Sequence, residues 1–391
     1  MGLNIASEAT QNRIANALEM MVAHQIEQDG GDFNPTEAQS VVRHGMGAAT
    51  YPVGTQFPLT HSVYGSHKHN VIGQDHDQDA HGHFEHTMTI QMDDQIADGT
   101  PFDMPEALVY AVQAISAGSS FHFSAPELNS VPAGNYQFTL GTAVPAGGQI
   151  MLVKSGTAWK VTTYESATST TPLETVNCVA GSTGTDLGNI TDVTNPLMHA
   201  GIKASEITEG TALVINHGSC TQYGYNRWSQ SAVRQWLNSA AAANEWWTPQ
   251  NVFDRPPSYA SRPGYLAGFD IAFVSALGEI THSTVLNTVT DGGTSETVTD
   301  KVFLLSRAEV GLGNEHAGQD DGSVYEFWDG ATNTDRIKLR GTSAAYWWLR
   351  TPNSGNANNV RNVTTSGALS NFSGSYYAGN ANGVAPACVI M

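Results

Sequence analysis

Residues 346–391 read YWWLRTPNSGNANNVRNVTTSGALSNFSGSYYAGNANGVAPACVIM. A dense core signal, Trp347, Trp348 and Leu349, runs straight into Asn, Ser, Gly, Ala and Thr, with Phe372, Tyr376 and Tyr377 scattered among them. From residue 353 to 390 there is no Asp, Glu or Lys, and Arg361 is the sole charge. Composition alone would make this a flexible tail. Core-type sequence on both sides, Tyr346 to Leu349 before and Val384 to Ile390 after, instead predicts a loop whose two ends are held in strands. Adaptable binding surfaces have this make-up, because Tyr supplies rigid amphipathic area while Ser, Asn and Gly supply adjustable hydrogen bonds.

Working outward, TDKVFLLS reads as a strand carrying Val302, Phe303, Leu304 and Leu305, and ALVINHG as a short one. SQSAVRQWLNSAAAANEWW has a helical face of Val233, Trp236, Leu237 and Ala240, whereas DIAFVSAL fits helix or strand. Long irregular stretches between these elements predict a domain with sparse regular structure, pinned by tryptophans. Further upstream, YQFTLGTAV, PAGGQIMLV and WKVTTYES alternate between breaker clusters and predict an antiparallel β module over 121–195. In FDMPEALVYAVQAISAG, Asp103 and Glu106 have capping-box spacing, Pro105 suits a first turn and Gly118 an end, which predicts a helix with Leu108, Val112 and Ile115 on its buried face. Another helical stripe, Ile14, Leu18, Met21, Val22 and Ile26, opens the chain. The chain thus divides at about 120 and 195 into three parts of an α+β protein.

The 391 residues carry a formal charge of −19, from 36 acidic against 17 basic side chains, which disfavours nucleic acid and anionic membrane as partners. No apolar run is long enough to span a bilayer, and MGLNIASEATQNRIANALEMM lacks the pattern of a secretory signal, so ordinary export is not expected. Cys178, Cys220 and Cys388 are too few and too scattered for a disulfide framework.

Residues 61–88, HSVYGSHKHNVIGQDHDQDAHGHFEHTM, hold seven of the fourteen histidines. Two His-x-His pairs, His67 with His69 and His81 with His83, would each place two imidazoles on one side of an extended strand, a geometry that suits a transition metal. Their similarity to the His-x-His pairs with which some trimeric phage fibre tips hold iron implies a metal shared between subunits. Asp75, Asp77 and Asp79 imitate the start of a calcium loop, but Ala80 and His86 stand where such a loop needs Gly and a bidentate Glu. Nucleophile-elbow, zinc-protease, P-loop and paired Cys-x-x-Cys patterns are missing, so no enzymatic activity is expected.

WLRTPNSGNANNV, the Asn/Ser/Tyr-rich stretch and GVAPA together resemble the variable region of proteins diversified by diversity-generating retroelements. AVRQWLNS, TDKVFLLS and AYWWLR are similar to the C-type-lectin-fold domains that carry such regions, relatives of the phage major tropism determinant and of the formylglycine-generating enzyme. The resemblance implies a C-type lectin-like domain over 196–391, with its variable region at about 346–391. It implies a phage tail-tip or fibre protein of the virion that binds a host-cell-surface receptor, protein or glycan, beside other tail proteins and as a homotrimer. Residues 1–120 would then attach and oligomerise. A diversified ligand binder on the bacterial cell surface is the alternative. An oxidase of the formylglycine type would need Cys220 and Cys388 to meet.

In such families template adenines are miscopied, so an AAC codon becomes any codon ending in C, never one for Lys, Glu, Gln, Met or Trp. Those five types make up 58 of the 391 residues, yet 353–390 contains none. The positions implied to vary are Asn356, Asn358, Asn359, Arg361, Asn362, Thr364, Ser370, Asn371, Phe372, Ser373, Gly374, Ser375, Tyr376, Tyr377, Gly379 and Asn380, with Trp347, Trp348, Leu349, Val384 and Pro386 as scaffold. Each variable position must face solvent, because a buried site that accepts both Asn and Phe would cost several kcal/mol one way or the other.

Overall fold

The computed structural model describes residues 33–96, 98–128, 131–191, 202–216, 218–369 and 377–391. The helical stripe from Ile14 to Ile26 lies outside them. The chain is α+β, with short helices and several mainly antiparallel sheets.

Its central sheet runs Gln56–His61, Gly65–Gln74, Met88–Met92, Ala387–Ile390, Val302–Phe303, each strand antiparallel to the next. The last strand of the chain therefore sits between an early strand and a middle one. Every residue of Met88–Met92 and Ala387–Ile390 is buried, so both faces of the sheet are covered here; Ala387–Ile390 is apolar throughout, whereas Met88–Met92 buries the polar Thr89 and Gln91 between apolar neighbours. One cover is the helix Pro35–Arg43. Asn34 caps it by accepting from the N–H groups of Thr36 and Glu37, and Ala38, Val41 and Val42 turn inward. Gln39 Nε2 donates to the Met391 carbonyl at 2.9 Å, pinning the carboxyl terminus under this helix.

A single apolar core joins Ala38 through Phe102 to Trp228 through Met391. Residues 33–103 thus share their core with the carboxyl-terminal part instead of forming a separate module, and the division placed at 120 falls at the start of the strand Ser120–Ala125. The β module is an insertion. One of its sheets has the order Glu174–Asn177, Ala158–Tyr164, Gln149–Ser155, Val109–Ala111, Leu213–Ile215. The other has the order Val179–Ala180, Gly134–Thr139, Ser120–Ala125, Thr185–Asn189. Phe121, Phe123, Phe138, Leu152 and Trp159 belong to a separate buried cluster. The module takes strands from both sides of its expected limits, since Val109–Ala111 precedes 121 and Leu213–Ile215 follows 195. Its expected end at 195 lies outside the described residues.

Between Asp103 and Gly118 no helix forms. Val109 pairs with Ile150 and Ala111 with Leu213, so a strand of β-favouring Val and Tyr claims the middle of the segment. Asp103 and Glu106, spaced as a capping box, are buried instead. The expected helix near 231 does form, as Ala232–Leu237 capped by Ser231, but it ends at Asn238 and leaves Ala240 exposed. DIAFVSAL resolves as the helix Ile271–Ala276, capped by Asp270. In TDKVFLLS, Thr299 and Asp300 end the strand Ser295–Asp300, and after Lys301 the short strand Val302–Phe303 follows, with Leu304 and Leu305 buried beyond it.

At the carboxyl end, Trp347–Pro352 is buried at every position and pairs with Val360–Val363, placing Trp348 opposite Asn362. Trp348 N–H also donates to the Gly383 carbonyl at 2.9 Å, and Ala381–Asn382 pairs with Thr100–Pro101. Both ends of the Asn/Ser-rich segment are therefore held in strands.

Candidate functional site

The segment is anchored by a buried asparagine outside it. Asn226 Nδ2 donates to the carbonyls of Asn356 and Asn359, at 2.8 and 2.9 Å, and so draws one turn around its amide. Asn356 Oδ1 accepts from the Asn359 N–H at 2.8 Å, closing that turn from within. The returning strand is fastened by Ala378 N–H to the Asn358 carbonyl and by Gly379 N–H to the Tyr223 carbonyl.

These contacts separate the expected variable positions. Asn380 is exposed, and Asn356, Arg361, Thr364, Tyr377 and Gly379 are partly exposed. Asn358, Asn359 and Asn362 are buried, at 5, 5 and 0 % exposure, and do not meet the requirement that a variable side chain face solvent. They belong to the support of the loop. Ser370, Asn371, Phe372, Ser373, Gly374, Ser375 and Tyr376 lie outside the described residues. Tyr377 stacks on Tyr223 with ring centroids 3.6 Å apart, and Arg361 Nε donates to Glu315 at 2.7 Å. Burial pushes the Glu315 carboxyl up, but its hydrogen bonds with Arg361 and Arg307 outweigh this and hold it below the usual range.

Within one chain, the four histidines His67, His69, His81 and His83 do not form one group of ligands among the described residues. Both nitrogens of His67 face oxygen partners within the chain, Nδ1 at 2.8 Å from Asp94 and Nε2 at 3.0 Å from the Tyr64 carbonyl. His69 is buried, its Nδ1 lies 3.1 Å from the His67 carbonyl, and burial lowers its pKa to about 4. His81 and His83 stand exposed with ring centroids 5.8 Å apart, and His81 pairs with Glu279. The three aspartates of the imitation calcium loop point to different duties. Asp75 accepts from the Thr87 N–H, Asp77 from the Tyr325 hydroxyl, and Asp79 from the N–H groups of His81, His83 and Phe84.

Among the described residues, the one group of side chains spaced to surround an ion is a set the sequence did not suggest: Asp103, Glu106 and Asp254, whose ligand atoms lie within 4.8 Å of one another. Asn251 Nδ2 occupies the space between two of them, donating to Glu106 at 3.1 Å and to Asp254 at 2.9 Å. The Phe253 N–H holds Asn251 Oδ1 and so fixes that amide orientation. Asn216 Nδ2 donates to the other Glu106 oxygen at 3.0 Å. The donor set is a hydrogen-bonded carboxyl cluster, and a hard cation would have to displace an amide N–H to enter it.

Burial, and to a lesser extent the neighbouring carboxylates, pushes Asp103 and Asp254 well above the usual range, while burial raises Glu106 to about 8. A carboxyl whose folded pKa exceeds its unfolded value favours the folded state below the unfolded pKa, and this contribution is lost as pH rises through the folded one. The thermal midpoint is therefore expected to fall from about pH 5 to about pH 9, and Glu106→Gln to flatten that fall. Differential scanning calorimetry across this range checks it, and an unchanged slope in the variant would contradict it.

Cys220 and Cys388 lie in different buried clusters. Burial pushes both thiols up, the reverse of what a reactive thiolate needs.

Residues 208–391 match the model of a family described as a domain of unknown function, DUF6273. The chain matches no curated protein and no solved structure.

Proposed function

We propose that this protein is a receptor-binding protein whose C-type-lectin-like carboxyl-terminal domain presents a retroelement-diversified surface, carried in a phage tail tip or fibre. The observation that carries this reading is the contrast within one segment. A stretch without Lys, Glu, Gln, Met or Trp hangs between strands whose residues are almost all buried, so its solvent-facing positions change partner contacts without touching the core. The surface comprises Asn356, Arg361, Thr364, Tyr377, Gly379 and Asn380. Its partner is a host-cell-surface protein or glycan. Assembly as a homotrimer beside other tail proteins would turn weak single contacts into useful avidity. Display of the same surface on a bacterial cell is the second reading, and the same geometry serves it.

Binding of the purified protein to a panel of bacterial cells tests the proposal. Cells that bind the parent are expected to lose at least about tenfold in affinity for the combined variant Thr364→Ala, Tyr377→Ala, Asn380→Ala. The variant's thermal midpoint should stay close to the parent's, since the three side chains lie outside the core. Unchanged binding by a folded variant would overturn the assignment of this surface.

A further inference from the structure

Between the inserted β module and the carboxyl-terminal domain lies a half-open cavity of about 690 Å³, within the range of small-molecule sites. Met151, Lys154, Trp159 and Tyr164 come from the module, while Tyr223 and Arg255 come from the other side. Tyr223 also stacks on Tyr377, so the cavity adjoins the diversified surface without being part of it.

Its charge runs against that of the chain. Acidic residues outnumber basic ones 36 to 17, yet the lining includes Lys154 and Arg255 and no Asp or Glu. Arg255 is 8 % exposed, and its guanidinium lies 3.6 Å from the centroid of the Tyr164 ring. Among the described residues, neutral oxygens receive its hydrogen bonds: Gln149 Oε1 at 2.9 Å and the carbonyls of Ser166, Ala167 and Ser169 at 3.1, 3.4 and 2.6 Å. No carboxylate pairs with it among the described residues. A buried charge is ordinarily balanced by an opposite one, because leaving it unbalanced costs several kcal/mol. Trp159 repeats the pattern in neutral form, since its buried indole N–H has no acceptor among the described residues. The rest of the wall is largely apolar, with Met104, Met151 and Pro256 among its residues.

We infer that this cavity binds a small organic acid: an apolar aliphatic or aromatic body held against the Met, Trp and Pro wall, with its carboxylate drawn to Arg255 and Lys154. Guanidinium and ammonium groups select the anion, and the apolar wall selects a body larger than acetate. The site does not depend on the proposed receptor function.

Titration calorimetry on the full chain with octanoate and 4-phenylbutyrate, each beside its neutral amide and with acetate as control, tests the inference. At least one of the two acids is expected to bind saturably, at least about tenfold more tightly than its amide, and acetate to bind more weakly than either acid. Lys154→Met, on the rim of the module, should weaken the acid at least about threefold and leave the amide unchanged. Arg255→Gln should remove the preference for acid over amide. Equal affinity for acid and amide, no binding of either acid up to about 10 mM, or undiminished acid binding in a folded Lys154→Met variant would each overturn it.

Discussion

Arg350→Met is expected to lower the free energy of unfolding by about 3–5 kcal/mol, measured by urea denaturation. Arg350 is wholly buried in the strand Trp347–Pro352, and its two terminal nitrogens form a fork on the carboxylate of Glu309, which is itself 3 % exposed. The same nitrogens donate to the carbonyls of Leu304 and Ser283, so one side chain ties three chain segments together. Methionine matches much of its length but leaves Glu309 charged and unbalanced in the interior. That residual charge makes the single change costly. Replacing both partners, as Arg350→Met with Glu309→Leu, should recover part of the loss, because two matched apolar groups leave no uncompensated charge. A loss below about 1 kcal/mol for Arg350→Met would show that the pair does not hold the strand as described.

Trp348→Ala is expected to cost about 3–5 kcal/mol by the same measurement. The ring is fully buried, packs edge-on against Phe102 at 6.0 Å between centroids, and donates its indole N–H to the Thr100 carbonyl at 2.8 Å. Truncation would open a cavity and leave that carbonyl without its partner. Loss of this ring also loosens the join between residues near 100 and the carboxyl-terminal strands, where Ala381–Asn382 pairs with Thr100–Pro101. By contrast, Thr364→Ala on the outer side of the segment is expected to stay within about 0.5 kcal/mol of the parent. Comparable losses at Trp348 and Thr364 would remove the distinction between scaffold and surface on which the account rests.

The contrast between Trp348 and Thr364 was legible in the sequence as an aromatic run beside a polar one, but composition does not show that burial continues through Asn358, Asn359 and Asn362. Other features were hidden by interactions distant in sequence. Asp103 and Glu106 have the spacing of a capping box, but spacing does not reveal that Val109 and Ala111 find partners in Ile150 and Leu213. Pairing of Met88–Met92 with Ala387–Ile390 merges the first and last parts of the chain, and no local pattern announces it. Asparagine takes three different roles in this one segment. The same side chain serves as an exposed contact at Asn380, a turn closure at Asn356 and a buried strand neighbour at Asn362, and composition counts all three alike. The His-x-His spacing was real, but hydrogen bonds to Asp94 and the Tyr64 carbonyl already engage both nitrogens of His67.

Sequencing independent copies of the gene together with its flanking DNA tests the central claim most directly. A nearly identical repeat beside a reverse transcriptase gene is expected. Substitutions among copies are expected at Asn356, Arg361, Thr364, Tyr377, Gly379, Asn380 and residues 370–376, with Trp347, Trp348, Leu349, Asn362, Val384 and Pro386 unchanged. Lack of such a repeat, or substitutions spread as freely over the buried positions as over the exposed ones, would contradict the claim.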